Sequence, residues 1–71
     1  MPTANSIWAS TKTGYPGALV VRVVSVVDGF VRHEQQLHHL GGWLRLSDSS
    51  TRLGAWYRTF HPAHPRAWLE R

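Results

Sequence analysis

The run from residue 18 to residue 27 is the feature that most limits how this chain can fold. Six of its ten residues are valine, and β-branched side chains disfavour helix and suit a pleated strand. Apolar residues occupy both faces, which predicts a central strand covered on two sides or a strand that bends through a small barrel. Asp28 and Gly29 follow directly and predict a two-residue type I′ turn, from which residues 30–35 return antiparallel.

Shorter segments on either side of this run predict the rest of a sheet. Residues 6–12 alternate in polarity, as a half-buried strand does. Residues 14–17, Gly-Tyr-Pro-Gly, are turn formers. Residues 37–42 end in Gly-Gly and predict a turn or a wide hairpin end, after which residues 43–46 form a short strand. We therefore expect a mainly β domain with an antiparallel sheet of three to four strands.

The apolar spacing becomes helical after these strands. Residues 47–50, Ser-Asp-Ser-Ser, supply side-chain oxygens that can cap the start of a helix. Beyond them, apolar residues recur at helical spacing, namely Leu53, Trp56, Tyr57 and Phe60. This spacing predicts a short C-terminal helix that closes the sheet and ends before Pro62. Gly54 costs such a helix up to about 1 kcal/mol relative to alanine. A strand over residues 49–60 stays open as the alternative, because bulky residues also alternate there.

The domain organisation follows from these elements. A chain of 71 residues has room for a single domain. Residues 1–5 are predicted to be a flexible arm, residues 6–62 the β domain, and residues 63–71 a tail or a loosely docked turn. Deleting residues 64–71 is therefore expected to leave the fold intact. The chain has no cysteine, so its stability must come from packing without disulfides.

The charge balance favours acidic partners. Eight basic residues stand against four acidic ones, which gives a formal charge of +4, and all but one of the basic residues are arginine. Arginine holds carboxylate or phosphate through a bidentate fork, although an arginine can equally be an ordinary surface cation. The longest apolar run is shorter than the roughly 20 residues that span a bilayer, and no secretory signal is evident. We expect a cytoplasmic, monomeric protein without membrane contact.

The acidic residues do not suggest catalysis. Each has a structural assignment: Asp28 in the hairpin turn, Glu34 on a strand surface, Asp48 at the helix cap and Glu70 in the tail. No pair is left for acid and base work, and no nucleophile elbow is present. We expect no enzymatic activity, no catalytic residue and no cofactor.

The histidines raise the question of a metal site. They are His33, His38, His39, His61 and His64. The close pair His61 and His64 is flanked by Pro62 and Pro65, which break the helix that a His-x-x-His metal pair ordinarily uses. No cysteine or suitably placed carboxylate completes a ligand set. The histidines are interpreted as solvated or capping residues, and no metal is expected.

The large aromatic residues divide into two groups. Trp43, Trp56 and Phe60 occupy positions where a small core needs them. Trp8 and Tyr15 flank the first turn, and Trp68 lies in the tail between arginines. The first group is predicted to be core and the second to be exposed.

Several core and turn residues recur in a characteristic order. They are Trp8, Arg22-Val23-Val24, Val26, Asp28-Gly29, Val31, Trp43, Leu46 and Phe60-His61-Pro62. Over residues 6–62 this order resembles very small SH3- or Tudor-like domains of phage and bacterial proteins. Those domains have an early Trp, a long valine strand, a DG turn and a short closing helix that ends in Phe-x-Pro.

In size, basicity and tryptophan content, the chain is similar to phage-encoded regulators that bind host bacterial RNA polymerase, shut off host promoters and promote readthrough of terminators. The resemblance implies the largest polymerase subunit as the partner and the host bacterial cytoplasm as the location. It implies neither a cofactor nor a catalytic residue.

The expected contact residues come from side-chain chemistry. They are Trp8, Lys12, Tyr15 and Arg22 near the first turn, and Arg52, Arg58 and Arg66 further along the chain. Arginine beside an exposed aromatic residue can contact protein or nucleic acid. The chain lacks an RNA-binding signature, a helix-turn-helix pattern and a lysine-rich tract, which favours a protein partner. A nucleic-acid-binding module with an arginine-rich face and a self-associating virion structural or assembly protein stay as alternatives.

Overall fold

The computed structural model describes residues 1–10, 18–39 and 42–68, which form a five-stranded antiparallel sheet with one α-helix and one 3₁₀ helix. The strands are β1 (Ile7–Ser10), β2 (Ala18–Val27), β3 (Phe30–His39), β4 (Gly42–Arg52) and β5 (Phe60–Pro62); α1 is Leu53–Thr59 and the 3₁₀ helix is Pro65–Ala67. The strand order β4-β3-β2-β1-β5, with α1 joining β4 to β5, is consistent with a small SH3-like fold. The predicted mainly β class is confirmed, with five strands in place of three or four.

The predicted central strand and hairpin turn are confirmed. β2 pairs with β1 on one side and with β3 on the other. The two turn residues both have positive φ, 53° for Asp28 and 79° for Gly29, as a type I′ turn requires. The turn places Val27 opposite Phe30 and so sets the register of the β2–β3 pair.

β3 and β4 extend further than predicted. β3 ends at His39 and β4 spans 11 residues. Residues 37–39, predicted as part of a turn, and residues 47–50, predicted as a helix cap, are therefore strand residues. His39 pairs with Gly42 where the two strands meet, and the ladder has one register shift, between His33 and Gln35. Pairing of β3 with β4 overrides the local turn and cap preferences of these residues. The predicted turn at residues 14–17 lies outside the described residues.

The inner face of the sheet carries the main hydrophobic core. Its buried members are Trp8, Leu19, Val21, Val23, Val31, Trp56 and Phe60. Alternate residues of β2 face this core as far as a register shift between Val23 and Ser25. A bulge inserts one residue and changes which positions point inward, so that Val26 packs against the same core. Val24 and Val27 are left exposed.

The start of α1 is held by a tertiary hydrogen bond and not by a side-chain cap. Arg52 is the N-cap residue and makes no side-chain cap bond. The Leu53 N–H donates to the carbonyl of Gly29 at 2.8 Å, which satisfies one of the amides that a helix start leaves unpaired. The predicted capping role of Asp48 is therefore wrong: Asp48 is an exposed residue of β4.

The helix brings its apolar side chains onto the core and then leads into β5. Trp56 and Phe60 are buried, as predicted, with ring centroids 4.5 Å apart. Tyr57 is 57% exposed although it belongs to the same predicted stripe. β5 pairs with β1, placing Pro62 opposite Trp8. Trp43 is also predicted to be core, but its side chain is outside the part of the chain that the structure describes.

The segment after β5 packs on the outer face of the sheet. Trp68 is 6% exposed and forms a second apolar cluster with Ile7 and Val20, flanked by Ala63 and Ala67. The prediction that Trp68 is a surface residue is therefore wrong. Because β2 is apolar on both faces, its outer face also needs a cover, and Trp68 supplies it.

The N-terminal residues are hydrogen-bonded to the same sheet. The Asn5 N–H donates to the Val23 carbonyl at 2.8 Å, and the Val23 N–H donates to the Ser6 carbonyl at 3.0 Å. Ile7 and Trp8 follow and are both buried. The beginning of β1 is thus covered on both faces, in contrast to the half-buried strand that its alternation predicts.

Candidate functional site

A groove lies between the β2–β3 hairpin turn and α1. We name it the hairpin–helix groove. Its volume is about 560 Å³, and it is lined by Asp28, Gly29, Phe30, Arg52, Gly54, Ala55 and Arg58. Two contacts between separate elements bring these residues together: the hydrogen bond from Leu53 to the turn carbonyl, and the pairing of Phe30 with Arg52 across β3 and β4.

The groove combines cationic and apolar surface. Arg52 and Arg58 stand against Asp28 among its lining residues, so its net charge is positive. Phe30 is 43% exposed, and the Arg52 guanidinium lies 5.7 Å from the centre of its ring. Val27, opposite Phe30 in the hairpin, is 60% exposed. An exposed aromatic ring beside arginine is a typical feature of protein-binding surfaces.

The structure brings only part of the predicted contact set together. Arg52 and Arg58 both line the groove. Arg66 is exposed in the 3₁₀ helix and is not one of the groove residues. Lys12 and Tyr15 lie outside the described residues.

Trp8, predicted as a contact residue, is instead part of the core. It is 7% exposed and lies opposite Val21 in the β1–β2 pair. Its ring meets that of Trp56 edge-on, with centroids 5.4 Å apart. The indole N–H donates to the Ser6 hydroxyl at 2.9 Å, so its polar atom is satisfied inside the protein. The prediction for Trp8 is wrong because α1 covers the face of β1 that carries it.

Arg22, also predicted as a contact residue, is engaged within the domain. Its Nη2 lies 2.7 Å from a carboxylate oxygen of Glu34, directly opposite in the β2–β3 pair. Its guanidinium also lies 5.1 Å from the centre of the Trp68 ring. Arg22 therefore ties the outer face of the sheet to the C-terminal segment.

Five groove residues were not predicted from the sequence as contacts: Asp28, Gly29, Phe30, Gly54 and Ala55. Two of them, Phe30 and Gly54, show a signal in the sequence. Phe30 directly follows the hairpin turn. An aromatic residue next to a tight turn is the sequence signal that could have identified it. Glycine within a helical pattern costs stability. Its presence there is the sequence signal that could have identified Gly54 as a groove residue.

His33 departs from the predicted solvated or capping role. It is buried between Trp56 and Phe60, with ring centroids 5.5 Å from each. Its Nε2 lies 2.9 Å from the Thr51 hydroxyl. Burial lowers the pKa of His33 below its ordinary value of 6.5, and the charge of Asp48 acts in the opposite direction to a smaller extent. The imidazole therefore behaves as a neutral core side chain.

His64 has the predicted capping role. Its Nδ1 accepts a hydrogen bond of 3.0 Å from the backbone N–H of Arg66, at the start of the 3₁₀ helix. Among residues 1–10, 18–39 and 42–68, no three histidine or acidic side chains come together as a metal site requires.

Comparison with known proteins adds no further assignment. The chain matches no protein-family model, no curated protein sequence and no solved structure. In the part of the chain that the structure describes, no helix has the length and apolar character needed to cross a membrane.

Proposed function

We propose that this protein is a non-catalytic, phage-encoded transcription regulator that binds bacterial RNA polymerase, through its largest subunit, and inhibits host transcription or promotes antitermination. The observation that supports a binding role most directly is the hairpin–helix groove, where exposed Phe30 lies beside Arg52 and where Arg58 lines the same surface. The similarity of the chain to phage-encoded regulators in size, basicity and tryptophan content supports the choice of partner.

The groove suits a protein partner because it offers both kinds of contact that dominate protein interfaces. An exposed aromatic side chain supplies apolar area, and arginine supplies directional hydrogen bonds to carboxylates. Positive charge on this end of the domain would also speed association with an acidic surface, at a rate that falls as salt rises. A domain of this kind regulates by occupying a surface of its partner.

The proposal is tested by titrating the fluorescently labelled protein with purified bacterial RNA polymerase, and separately with mixed-sequence DNA and RNA, at about 0.15 M salt. We expect saturable binding to the polymerase and a weaker, strongly salt-dependent signal with nucleic acid. Tight binding to nucleic acid with no binding to polymerase would identify a nucleic-acid module instead. Self-association in light scattering would favour a virion assembly protein.

A matched pair of variants connects binding to the groove. Arg52→Gln combined with Arg58→Gln removes two groove cations, whereas Arg32→Gln removes an exposed cation that does not line the groove and is not a predicted contact. We expect the double variant to bind polymerase more weakly and to lose its effect on promoter-dependent transcription and terminator readthrough in vitro. The Arg32 variant is expected to behave like the unmodified protein.

A further inference from the structure

Gly54 is unexplained by the needs of the fold. It lies in the first turn of α1, where glycine is less favourable than alanine. Its φ is not in the positive range that favours glycine, and a Cβ added at this position would meet no atom within 4 Å. Neither backbone conformation nor internal packing therefore requires glycine here.

The space in front of Gly54 belongs to the hairpin–helix groove. Ala55, the next residue, is also small, and both line the groove together with Phe30 and the two arginines. We call the surface of these two small residues the floor of the groove. The fold does not require this glycine. Because glycine has no side chain, its position on the floor of the groove allows an external chain to approach closely.

The side chains round this floor define the chemistry of the occupant. Arg52 and Arg58 are complementary to carboxylates, and Phe30 is complementary to an apolar side chain. Asp28 lines the same groove. Its carboxylate can accept a hydrogen bond from a peptide N–H, whereas it repels the continuous negative charge of a nucleic-acid backbone. The combination of two arginines, an aromatic ring and one carboxylate favours an acidic peptide over an oligonucleotide.

We propose that the hairpin–helix groove binds an acidic peptide segment of the partner, with carboxylates on Arg52 and Arg58 and an apolar side chain packed against Phe30 over the open floor at Gly54. This inference rests on the proposed function in that it takes the partner to be a protein. It adds the class of segment recognised and assigns Gly54 as the residue that determines whether the segment fits.

The experiment is an NMR titration of the ¹⁵N-labelled full chain with a short blocked peptide of Glu, Asp and Leu. A peptide with Lys in place of the acids and a mixed-sequence oligonucleotide serve as comparison ligands. We expect saturable shifts of the Phe30, Gly54 and Ala55 amides with the acidic peptide alone. Absence of these shifts, or the same shifts with either comparison ligand, would overturn the proposal.

Two groove variants and one control sharpen the result. Gly54→Leu fills the groove from its floor, and Arg52→Gln removes a carboxylate partner; each is expected to weaken peptide binding by about fivefold or more. Arg32→Gln, at an exposed position that does not line the groove, is expected to leave the apparent Kd unchanged. Because Gly54→Leu changes a helix residue, its thermal melt is measured first, and Gly54→Ala provides a smaller filling side chain. Unweakened binding by folded Gly54→Leu would contradict the assignment.

The same variants separate this inference from the proposed function. If the acidic peptide binds in the groove but polymerase does not bind the protein, the choice of partner fails and the groove assignment stands. If polymerase binds the unmodified protein and Gly54→Leu equally well, the proposed function stands and the groove assignment fails.

Discussion

Replacing Trp68 with alanine removes the side chain that covers the outer face of the sheet. Trp68 is 6% exposed and packs with Ile7 and Val20. Truncating a buried tryptophan costs about 3–5 kcal/mol, and loss of the Arg22 cation over its ring adds about 0.5–1 kcal/mol. When the segment that carries Trp68 undocks, it regains conformational entropy, which offsets part of this loss of stability. We therefore expect the free energy of unfolding to fall by about 3 kcal/mol.

Such a loss is large for a chain of this size. A domain of 71 residues is stabilised by about 4–11 kcal/mol in total. Each 1 kcal/mol corresponds to about 4–8 °C in the Tm of a domain this small. Thermal unfolding followed by circular dichroism is thus expected to show a fall of at least about 12 °C for Trp68→Ala. Deletion of residues 64–71, which by composition alone read as a dispensable tail, is expected to reproduce most of this loss.

Tyr57→Ala provides the control for removal of an aromatic ring. Tyr57 is largely exposed and meets Trp8 edge-on, with ring centroids 5.9 Å apart. We expect its replacement to cost about 1 kcal/mol or less. If Trp68→Ala and the truncated chain both melt within about 3 °C of the unmodified protein, the outer cluster does not contribute to stability and the reasoning is refuted.

Three further predictions concern the turn, the buried histidine and the groove floor. Gly29→Val places a β-branched residue at a φ of 79° and should lower the free energy of unfolding by about 2 kcal/mol, as measured by chemical denaturation. Gly29→Asn should cost less in the same measurement, because asparagine tolerates this φ. Equal costs of the two variants would argue against backbone strain. His33 has a lowered pKa, so below its ordinary value of 6.5 the unfolded chain takes up a proton that the folded chain resists. Stability should therefore fall as the pH drops from 6.5 towards the lowered pKa, by at most about 1.4 kcal/mol per pH unit. His33→Gln should remove this part of the pH dependence in melts at pH 7.5 and 5.5, and an unchanged slope would assign it to other groups. Gly54→Ala should raise the free energy of unfolding by about 0.5 kcal/mol, because alanine favours helix and its methyl group meets open space; a loss of stability in urea unfolding would show that the fold itself needs glycine there.

Much of the fold follows from local sequence. The β-branched run predicts β2 and the Asp28-Gly29 pair predicts the hairpin, because χ1 restriction and positive φ are properties of individual residues. The helical spacing likewise predicts α1, and the burial of Trp56 follows from it. Arg52 and Arg58 are predicted as contact residues by their charge, and they meet in one groove.

Other features depend on neighbours that are distant in the chain. Asp48 is of a residue type that favours helix N-caps, yet pairing of β3 with β4 keeps it in a strand. The carbonyl of a turn residue caps the helix instead. His33 is polar, yet packing of α1 and β5 on the sheet encloses it in the core between Trp56 and Phe60. Trp8 has the chemistry of a contact residue, and packing against α1 makes it core.

The run of valines and its turn thus determine a mainly β domain from local preferences alone, since each acts through the torsion angles of its own residues. Which side chains become core and which become site is decided by tertiary packing. The groove exists because pairing of β3 with β4 sets Phe30 beside Arg52 and because a backbone hydrogen bond holds α1 against the turn. Both are contacts between separate elements, and only the folded chain brings those elements together.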